Sequence, residues 1–344
     1  MGLSATDKIS SLNIAQQQMI EIIRATFSKA KIIVMDEPTS SLSDKEVDAL
    51  FDTIRKLTAQ GIGIIYISHR MSELDIIADR VSVYRDGKYV ATRVVKETTV
   101  DELVALMVGR QVGNYYTRNY VATDEVLLDV KGLSNKAVHN VSFQLKRGEI
   151  LGFAGLVGAG RTEIMRGLFG VDYITSCDVY VHGQKVRIQT PAAAKKHGIA
   201  FLTEDRKIEG LTLDFTIKAN MSMANLPKLR RGLLTSTKVE NEIADQYIKL
   251  INVKTPSRNQ KVGNLSGGNQ QKVVIGKWLE TGCRFLIIDE PTRGIDVGAK
   301  SEIYHLLDRL AGEGYGILMI SSELSEVVGI SDRVYVMKDG EITG

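Results

Sequence analysis

The sequence has little cysteine, little proline and no apolar run long enough to cross a membrane. Its two cysteines, Cys177 and Cys283, among 344 residues cannot form a disulfide framework. No basic-then-apolar leader opens the chain, so we expect a reducing, cytosolic setting. Because no apolar run approaches the roughly 20 residues that span a bilayer, we expect any membrane connection to go through a partner.

The chain also lacks an excess of either charge. It carries 44 Lys and Arg against 41 Asp and Glu, a net charge of +3, which excludes a whole-chain field that would hold DNA or an anionic membrane. With 44% hydrophobic residues and five prolines, the composition is that of a globular protein. The length suggests about two domains.

Two stretches of the chain repeat one another. The Asp-Glu-Pro-Thr run that begins at Asp36 reappears at Asp289, 253 residues later. The same offset relates residues 12–91 to residues 265–344 without an insertion in either copy. Repetition at a fixed offset predicts two structural copies of one unit.

Both copies show the pattern of an α/β fold. Apolar runs at 32–35 and 285–288 end in acidic residues and predict buried parallel strands. An amphipathic helix and a further strand, at 63–68 or 316–321, follow in each copy, which favours a parallel sheet. The predicted core faces of the two helices are Leu50, Phe51, Ile54 and Leu57, and Ile303, Tyr304, Leu307 and Leu310.

The two copies differ upstream. Before Leu265 the second copy has a glycine-punctuated stretch from about residue 126, whereas eleven residues precede Leu12 in the first. We therefore expect residues 1–110 to form the C-terminal half of a domain and 125–344 to form a second, nearly whole domain. Residues 111–124 are the predicted linker, whose three tyrosines are more often surface filler than a binding cage.

A glycine-rich loop joins a predicted strand at 150–154 to a predicted helix at 163–169. Its residues Gly155, Gly158 and Gly160 would let backbone N–H groups curl around a phosphate at the start of the helix, and Thr162 could reach Mg²⁺. Arg161 stands where such loops usually have lysine. Arginine keeps the positive charge but carries it on a broad, planar guanidinium. Taken alone, the loop could equally be an ordinary tight turn.

Paired carboxylates end the two repeated strands. Asp36 and Asp289 could hold Mg²⁺ through water, and Glu37 and Glu290 could polarise an attacking water. The competing interpretation, an acidic pair that caps a turn, is less attractive because Pro-Thr follows both times. His69, at the end of a repeated strand, could orient a phosphate and a water, although a lone strand-end histidine is usually structural.

Residues 265–272, Leu-Ser-Gly-Gly-Asn-Gln-Gln-Lys, form a second glycine-containing helix start. Ser266 suits the N-cap position, and the bare backbones of Gly267 and Gly268 could approach a phosphate closely. The alternative is a flexible helix entry, which the neighbouring phosphate loop makes less attractive.

The two cysteines have no metal-ligand spacing and are predicted to be inert thiols.

These motifs together resemble the nucleotide-binding subunits of ABC transporters. More narrowly, the runs at 107–110, 155–161, 204–207 and 320–324 are similar to the fused tandem ATPases of bacterial monosaccharide importers of the ribose, xylose and galactose type. The resemblance implies an α/β P-loop NTPase cassette with a helical subdomain at about 208–262, duplicated in tandem with an incomplete first copy. It also implies that ATP and Mg²⁺ bind.

The resemblance implies two unequal sites, because each ATP lies between the phosphate loop of one domain and the signature of the other. One site pairs Asp36, Glu37 and His69 with Ser266, Gly267 and Gly268. The other pairs residues 155–162 and the second carboxylate pair with residues 12–16. We expect the latter site to be degenerate, since Ile14 and Ala15 replace the signature glycines, Ser322 replaces the histidine, and Glu204 stands where the family has a metal-contacting glutamine.

The predicted roles follow from these assignments. We expect catalysis from Glu37, His69 and Glu290, nucleotide binding from Gly155, Gly158, Gly160, Arg161, Thr162, Ser266, Gly267 and Gly268, and metal binding from Thr162, Asp36, Asp289 and Glu204. The phosphate loop of the competent site is expected to lie upstream of Met1, so we expect this chain alone to be inactive or weakly active.

The resemblance implies a transport ATPase on the cytoplasmic face of the bacterial plasma membrane. Its partners would be integral-membrane permease subunits and, indirectly, an extracytoplasmic sugar-binding protein, with no nucleic acid. Two alternatives remain at this point: a non-transport twin-cassette protein that acts on ribosomes or DNA, and a non-enzymatic remnant that binds nucleotide.

Overall fold

The computed structural model divides the chain into two compact units, residues 1–112 and 113–344. Each unit is considered by itself. The structure describes residues 6, 8–12, 14–27, 30–39, 42, 44–68, 71–85, 87–108, 116, 118–156, 158–231 and 234–344. His69, one of the predicted catalytic residues, lies outside this set.

The first unit follows a strand-and-helix alternation that ends in a β-hairpin. Its elements are α1 (Ile14–Phe27), β1 (Ile32–Asp36), α2 (Asp44–Ala59), β2 (Gly63–Ile67), α3 (Met71–Ile77), β3 (Arg80–Arg85), β4 (Lys88–Val94) and α4 (Val100–Val108). A 3₁₀ turn, Ile9–Ser11, precedes α1, and another, Val95–Glu97, follows β4.

The core of the first unit lies between the β1–β2 pair and helix α2. The two strands are parallel, in register from Ile32 opposite Gly63 to Asp36 opposite Ile67. On α2 the predicted face is confirmed, since all four of its residues are at most 4% exposed. Ile33 and Met35 of β1 pack against this face. An amphipathic helix thus covers one side of a short parallel sheet.

The second unit contains the phosphate loop and the carboxylate pair at residues 289 and 290. Its first elements are β5 (Val126–Ser134), β6 (Val141–Lys146), β7 (Ile150–Gly155), α5 (Arg161–Leu168), β8 (Ser176–Val181), β9 (Gln184–Val186), α6 (Pro191–Lys196) and β10 (Ile199–Leu202). A helical stretch follows, with α7 (Ile217–Ser222), α8 (Leu226–Leu229), the two-residue strands β11 (Arg230–Arg231) and β12 (Leu234–Thr235), and α9 (Thr237–Leu250). These helices lie within the segment predicted to be helical.

The repeated part of the sequence completes the second unit. Its elements are α10 (Gly267–Leu279), β13 (Phe285–Asp289), α11 (Val297–Gly312), β14 (Gly316–Ile320), α12 (Leu324–Ile330), β15 (Arg333–Lys338) and β16 (Glu341–Ile342). The strands form a sheet in the order β10-β13-β14-β7-β15-β16, in which all pairs except β15–β16 are parallel. The predicted parallel sheet is therefore confirmed.

Burial explains the composition of the central strands. Every residue of β13 and β14 is buried, because cores pack against both faces of the sheet. A parallel strand covered on both faces has no polar side. A separate antiparallel sheet, in the order β6-β5-β8-β9, contributes to the core that contains the phosphate-loop helix α5.

The repeat in the sequence is also a repeat of secondary structure. Elements β1, α2, β2, α3 and β3 begin and end 253 residues before β13, α11, β14, α12 and β15.

Among the described residues, no helix has both the length and the apolar composition needed to cross a lipid bilayer.

Part of the predicted linker is built into the second unit. Arg118 donates hydrogen bonds to Asp308 (2.9 Å), to both carboxylate oxygens of Asp332 (3.0 and 2.7 Å) and to the carbonyl of Gly148 (2.6 Å). The Tyr116 ring, predicted to be surface filler, is partly buried against Tyr304, 5.3 Å between ring centroids. The prediction missed this because the partners are about 190 residues distant in sequence.

We expect Arg118→Ala to lower the free energy of unfolding of the second unit by about 3–5 kcal/mol, since it leaves two largely buried carboxylates without their cation. Urea denaturation followed by circular dichroism measures this. Arg147→Ala is the matched control, because its pair with Glu125 is half-exposed on both sides, and such pairs contribute about 0–1 kcal/mol. Equal losses in the two variants would contradict the anchoring role.

Candidate functional site

The glycine-rich loop connects the end of β7 directly to α5. Gly158 and Gly160 have φ values of +83° and +96°, which residues other than glycine adopt only with strain. At Gly160 there is also little room, because a Cβ atom would lie 3.1 Å from Val138 Cγ2. The loop therefore turns tightly into α5, whose first N–H groups lack partners within the helix. Such a helix start is suited to bind phosphate.

Arg161 is directed into the protein. Its guanidinium donates a hydrogen bond of 2.7 Å to the backbone carbonyl of Ser321, and the residue is 8% exposed. The arginine that stands at the usual lysine position thus ties the start of α5 to the end of β14. In this arrangement the charge is held beside the loop by a structural contact, which the sequence pattern did not reveal.

Thr162 and Asp289 meet at the ends of neighbouring elements. The Thr162 hydroxyl donates a 2.7 Å hydrogen bond to Asp289 Oδ2. Asp289 is 1% exposed, and burial raises the pKa of its carboxyl to about 6. A hydroxyl beside a carboxylate supplies the oxygen ligands that Mg²⁺ prefers.

Glu290 follows in a strained backbone conformation, with φ +51°. The backbone N–H of Ser322 donates to its Oε1 (2.6 Å), and the Ser322 hydroxyl donates to its Oε2 (3.1 Å). Burial, helped by the negative charges of Glu326 and Asp289, raises the pKa of Glu290 to about 7. A carboxylate with a pKa near neutrality can accept a proton in catalysis, but here both oxygens are already engaged.

The corresponding position of the first unit has the same backbone. Glu37 has φ +46°, and its N–H donates to the carbonyl of Ile67 (2.9 Å), as that of Glu290 donates to Ile320 (2.9 Å). Asp36 is exposed at the end of β1. Strain of this kind in a non-glycine residue persists where the surroundings enforce it, often at functional sites.

Two buried glutamates behind these sites were not predicted. Glu326, which is 1% exposed, accepts hydrogen bonds from Thr292 (2.9 Å) and from the Ser321 hydroxyl. Glu73 does the same in the first unit, accepting from Thr39 (2.6 Å) and Ser68 (2.8 Å). Each therefore ties the Pro-Thr turn to the end of the next strand. The signal was available, because Glu73 and Glu326 are 253 residues apart.

The second glycine-containing helix start belongs to the second unit, at the beginning of α10. Ser266 occupies the N-cap position as predicted, but its side chain makes no capping bond to the helix backbone. Its hydroxyl instead accepts a 2.9 Å hydrogen bond from Asn269 Nδ2. Gly267 and Gly268 form the first turn and contact the segment that follows the second carboxylate pair.

Glu204, a predicted metal ligand, forms an ion pair with Arg293. Within the described part of the chain, no group of three or more His, Cys, Asp and Glu side chains is arranged to hold a metal ion. The fold thus brings the described glycines of the loop, Arg161 and Thr162 to the same edge of the sheet as Asp289 and Glu290. It pairs Glu204 with the guanidinium of Arg293.

Comparison with known proteins identifies the family of the chain. The ABC transporter family profile matches residues 138–293. Curated relatives include a ribose import ATP-binding protein of Bacillus cereus (47% identical, covering 97% of this chain and 67% of the relative) and a putative ribose/galactose/methyl galactoside import ATP-binding protein of Burkholderia cenocepacia (50% identical, covering 100% and 67%). The chain thus spans about two thirds of the length of these relatives.

Solved structures share the fold. A nucleotide-free ATP-binding cassette of an ABC transporter superposes with a TM-score of 0.55 at 21% identity, covering 64% of this chain and 90% of that one. A dimeric cassette bound to ADP and Pi gives a TM-score of 0.54 at 22% identity, covering 63% and 97%. At this identity the likeness concerns the fold alone.

The fold and the site together define an α/β P-loop cassette that binds ATP. The curated relatives, which are 47% and 50% identical to the chain in sequence, show which members of this class it resembles. The chain belongs to the ABC transporter family, among its ATP-binding import subunits.

We expect Asp289→Asn to stabilise the protein more at pH 8 than at pH 5. The buried carboxyl has a pKa of about 6, above its ordinary value near 4, so its contribution to stability falls as the pH rises from about 4 to about 6. Asparagine does not titrate and can still accept from Thr162. Urea denaturation should show that the difference between variant and wild type grows by about 1 kcal/mol from pH 5 to pH 8.

Asp214→Asn is the control for this measurement, because that side chain is 92% exposed. It corrects for the loss of one carboxylate from the chain. The pH effect assigned to Asp289 would be contradicted if the two variants changed in parallel.

Proposed function

We propose that this chain is part of the ATP-hydrolysing subunit that powers monosaccharide import through an ABC transporter. The observation that carries the proposal is the phosphate loop with Thr162 bonded to Asp289 and with Glu290 beside it. The names of the curated relatives, which import ribose or galactosides, support a monosaccharide as the transported class. Hydrolysis would drive permease subunits that receive sugar from an extracytoplasmic binding protein, with no nucleic acid involved.

In the proposed subunit, the backbone N–H groups from Gly158 to Thr162 bind the phosphates of ATP. The Thr162 hydroxyl and the Asp289 carboxylate would hold Mg²⁺, whose donor preference they satisfy. When bound, the ion supplies positive charge that offsets the negative charge developing on the phosphate oxygens. Arg161 stabilises the loop from behind through Ser321.

We propose unequal hydrolysis in the two units. The Glu290 carboxylate accepts two hydrogen bonds from Ser322, which hold it away from an attacking water. In the first unit the base is Glu37, and His69 at the position aligned with Ser322 orients the water. This assignment makes the second unit the weaker hydrolase.

We further propose that the first unit is the later half of a cassette like the second. Four apolar side chains of its sheet, Ile32, Val34, Ile65 and Ile67, are 46–63% exposed. Their counterparts at the 253-residue offset, Phe285, Ile287, Leu318 and Ile320, are at most 1% exposed. In the second unit these counterparts share a core with Phe153 of β7 and Ile164 of α5. A phosphate-loop half of this kind would cover the exposed face of the first unit.

The proposed location is the cytoplasmic face of the bacterial plasma membrane, where the subunit binds peripherally. Attachment through permease subunits is consistent with the absence, among the described residues, of a helix that could span a bilayer.

We expect Thr162→Val to weaken Mg-ATP binding to the second unit at least about tenfold, because it removes the hydroxyl next to Asp289. Thr162→Ser keeps the hydroxyl and should bind as the wild type does. Binding can be followed by the fluorescence of Trp278, the chain's single tryptophan, whose ring lies 5.6 Å from that of Phe169 at the end of α5. Thr123→Val controls for loss of a surface hydroxyl.

The role of magnesium makes this test specific. With EDTA present, the valine and serine variants should bind ATP equally, because no metal is left for the hydroxyl to hold. Equal affinity of the two variants in saturating Mg²⁺ would contradict the proposed metal site.

In a longer protein that contains this chain and a complete first cassette, we expect Glu37→Gln to lower ATP turnover at least about 100-fold. Glu290→Gln should lower it less than about tenfold. The two residues are matched in backbone conformation and position, so folding effects should be similar. Steady-state phosphate release measures turnover, and Glu97→Gln is an exposed control. Comparable losses from both substitutions would contradict the unequal assignment.

A further inference from the structure

Two loops of the second unit hold one another in a reciprocal contact. The Arg293 guanidinium pairs with the Glu204 carboxylate. In return, the Arg206 guanidinium donates hydrogen bonds to the backbone carbonyls of Arg293 and Gly294, the latter at 3.0 Å. We call these four residues the clasp. It joins the segment after β10 to the turn after β13.

The cation in the clasp is buried at a cost. Arg206 is 8% exposed, and burial lowers the pKa of its guanidinium. Its Nε atom is buried without a hydrogen-bond partner among the described residues. Neutral carbonyls compensate a buried cation only partly. This arrangement is therefore poor for stability but highly directional, since the planar fork fixes two carbonyls at once.

The clasp lies directly under the start of α10. A Cβ atom on Gly267 would lie 2.7 Å from Arg206 Nη2 and 2.7 Å from the Gly294 carbonyl oxygen. The next residue, Gly268, packs as closely on α11, where its Cβ atom would lie 2.5 Å from that of Ala299. The glycines therefore serve close packing inside this unit, and α10 cannot shift without displacing the clasp.

A second contact ties the same segment further along α10. Residues Arg206–Gly210 form a single wide helical turn, which begins at the clasp. At its other end, the carbonyl of Gly210 accepts a 2.6 Å hydrogen bond from Lys277 Nζ near the end of α10. The turn is thus held against α10 at both ends, by the packing of Arg206 on Gly267 and by the hydrogen bond from Lys277. It leads on into the helical segment that begins at α7.

The two copies differ at the residue that pairs with Glu204 in the second unit. At the 253-residue offset, the residue that corresponds to Arg293 is Ser40, which has no charge to pair with a glutamate. Arg293 therefore supplies a positive charge that the first copy lacks at this position, and Glu204 pairs with it.

We propose that Glu204, Arg206 and Arg293 are positioning residues that hold Ser266, Gly267 and Gly268 in place, so that this helix start and the turn at 206–210 move as one body. This proposal rests on the proposed ATPase function. It assigns Glu204 a partner in the protein in place of the metal. Movement of the helical segment would reach Gly267 and Gly268, which are predicted to approach a phosphate, through Arg206.

Arg206→Lys tests the proposal because it keeps the positive charge but removes the planar guanidinium that binds two carbonyls at once. In this chain as it exists, hydrogen exchange of the backbone amides at 266–272 should become at least about tenfold faster, while the midpoint of thermal unfolding changes little. Arg258→Lys is the matched control, since Arg258 pairs with Asp245 on the surface of the helical segment. Exchange within twofold of the wild type would overturn the proposal.

A charge exchange tests the ion pair through function. In the longer two-cassette protein, Glu204→Arg and Arg293→Glu should each lower kcat for ATP about tenfold, and the double variant should recover most of it. The KM for ATP should change less than kcat if the residues act by positioning. Additive losses in the double variant would overturn the clasp. An inactive wild-type protein would instead contradict the proposed function. The hydrogen-exchange measurement on Arg206→Lys would then decide whether the clasp positions the start of α10.

Discussion

The structure depends on the burial of parallel strands on both faces. Strands β13 and β14 have no polar face, so polar side chains are confined to the strand ends, and the carboxyl ends of parallel strands lie at one edge. Asp289 and Glu290 are at that edge, beside the loop that follows β7. The same burial raises both of their pKa values, so one constraint locates the site and sets its protonation.

The repeat shows which features of the site are general and which are special. Both units place a glutamate in left-handed backbone after the strand and tie the next turn to a buried glutamate, Glu73 or Glu326. The second unit alone has a serine aligned with His69 and an arginine aligned with Ser40. Ser322 donates to Glu290, and Arg293 pairs with Glu204, so the two copies share a backbone but differ in the groups that contact these glutamates.

Much of the fold could be predicted because its signals are local or repeated. The apolar runs predicted the strands, and the 3.6-residue pattern predicted the buried face of α2. The contacts of single long side chains could not be predicted. The inward direction of Arg161, the anchoring of Arg118 and the pairing of Glu204 with Arg293 join residues between 89 and 214 positions apart.

The sequence by itself determined the repeat, the parallel sheet, the phosphate loop and the family resemblance, because each rests on residue spacing within one segment. The tertiary structure decided what the charged groups do. It turned Arg161 onto a carbonyl, engaged Glu290 with Ser322 and paired Glu204 with a cation. The physical reason is that a buried charge must find its partner in three dimensions, and that partner is supplied by whichever strand end or loop the packing of the core brings near.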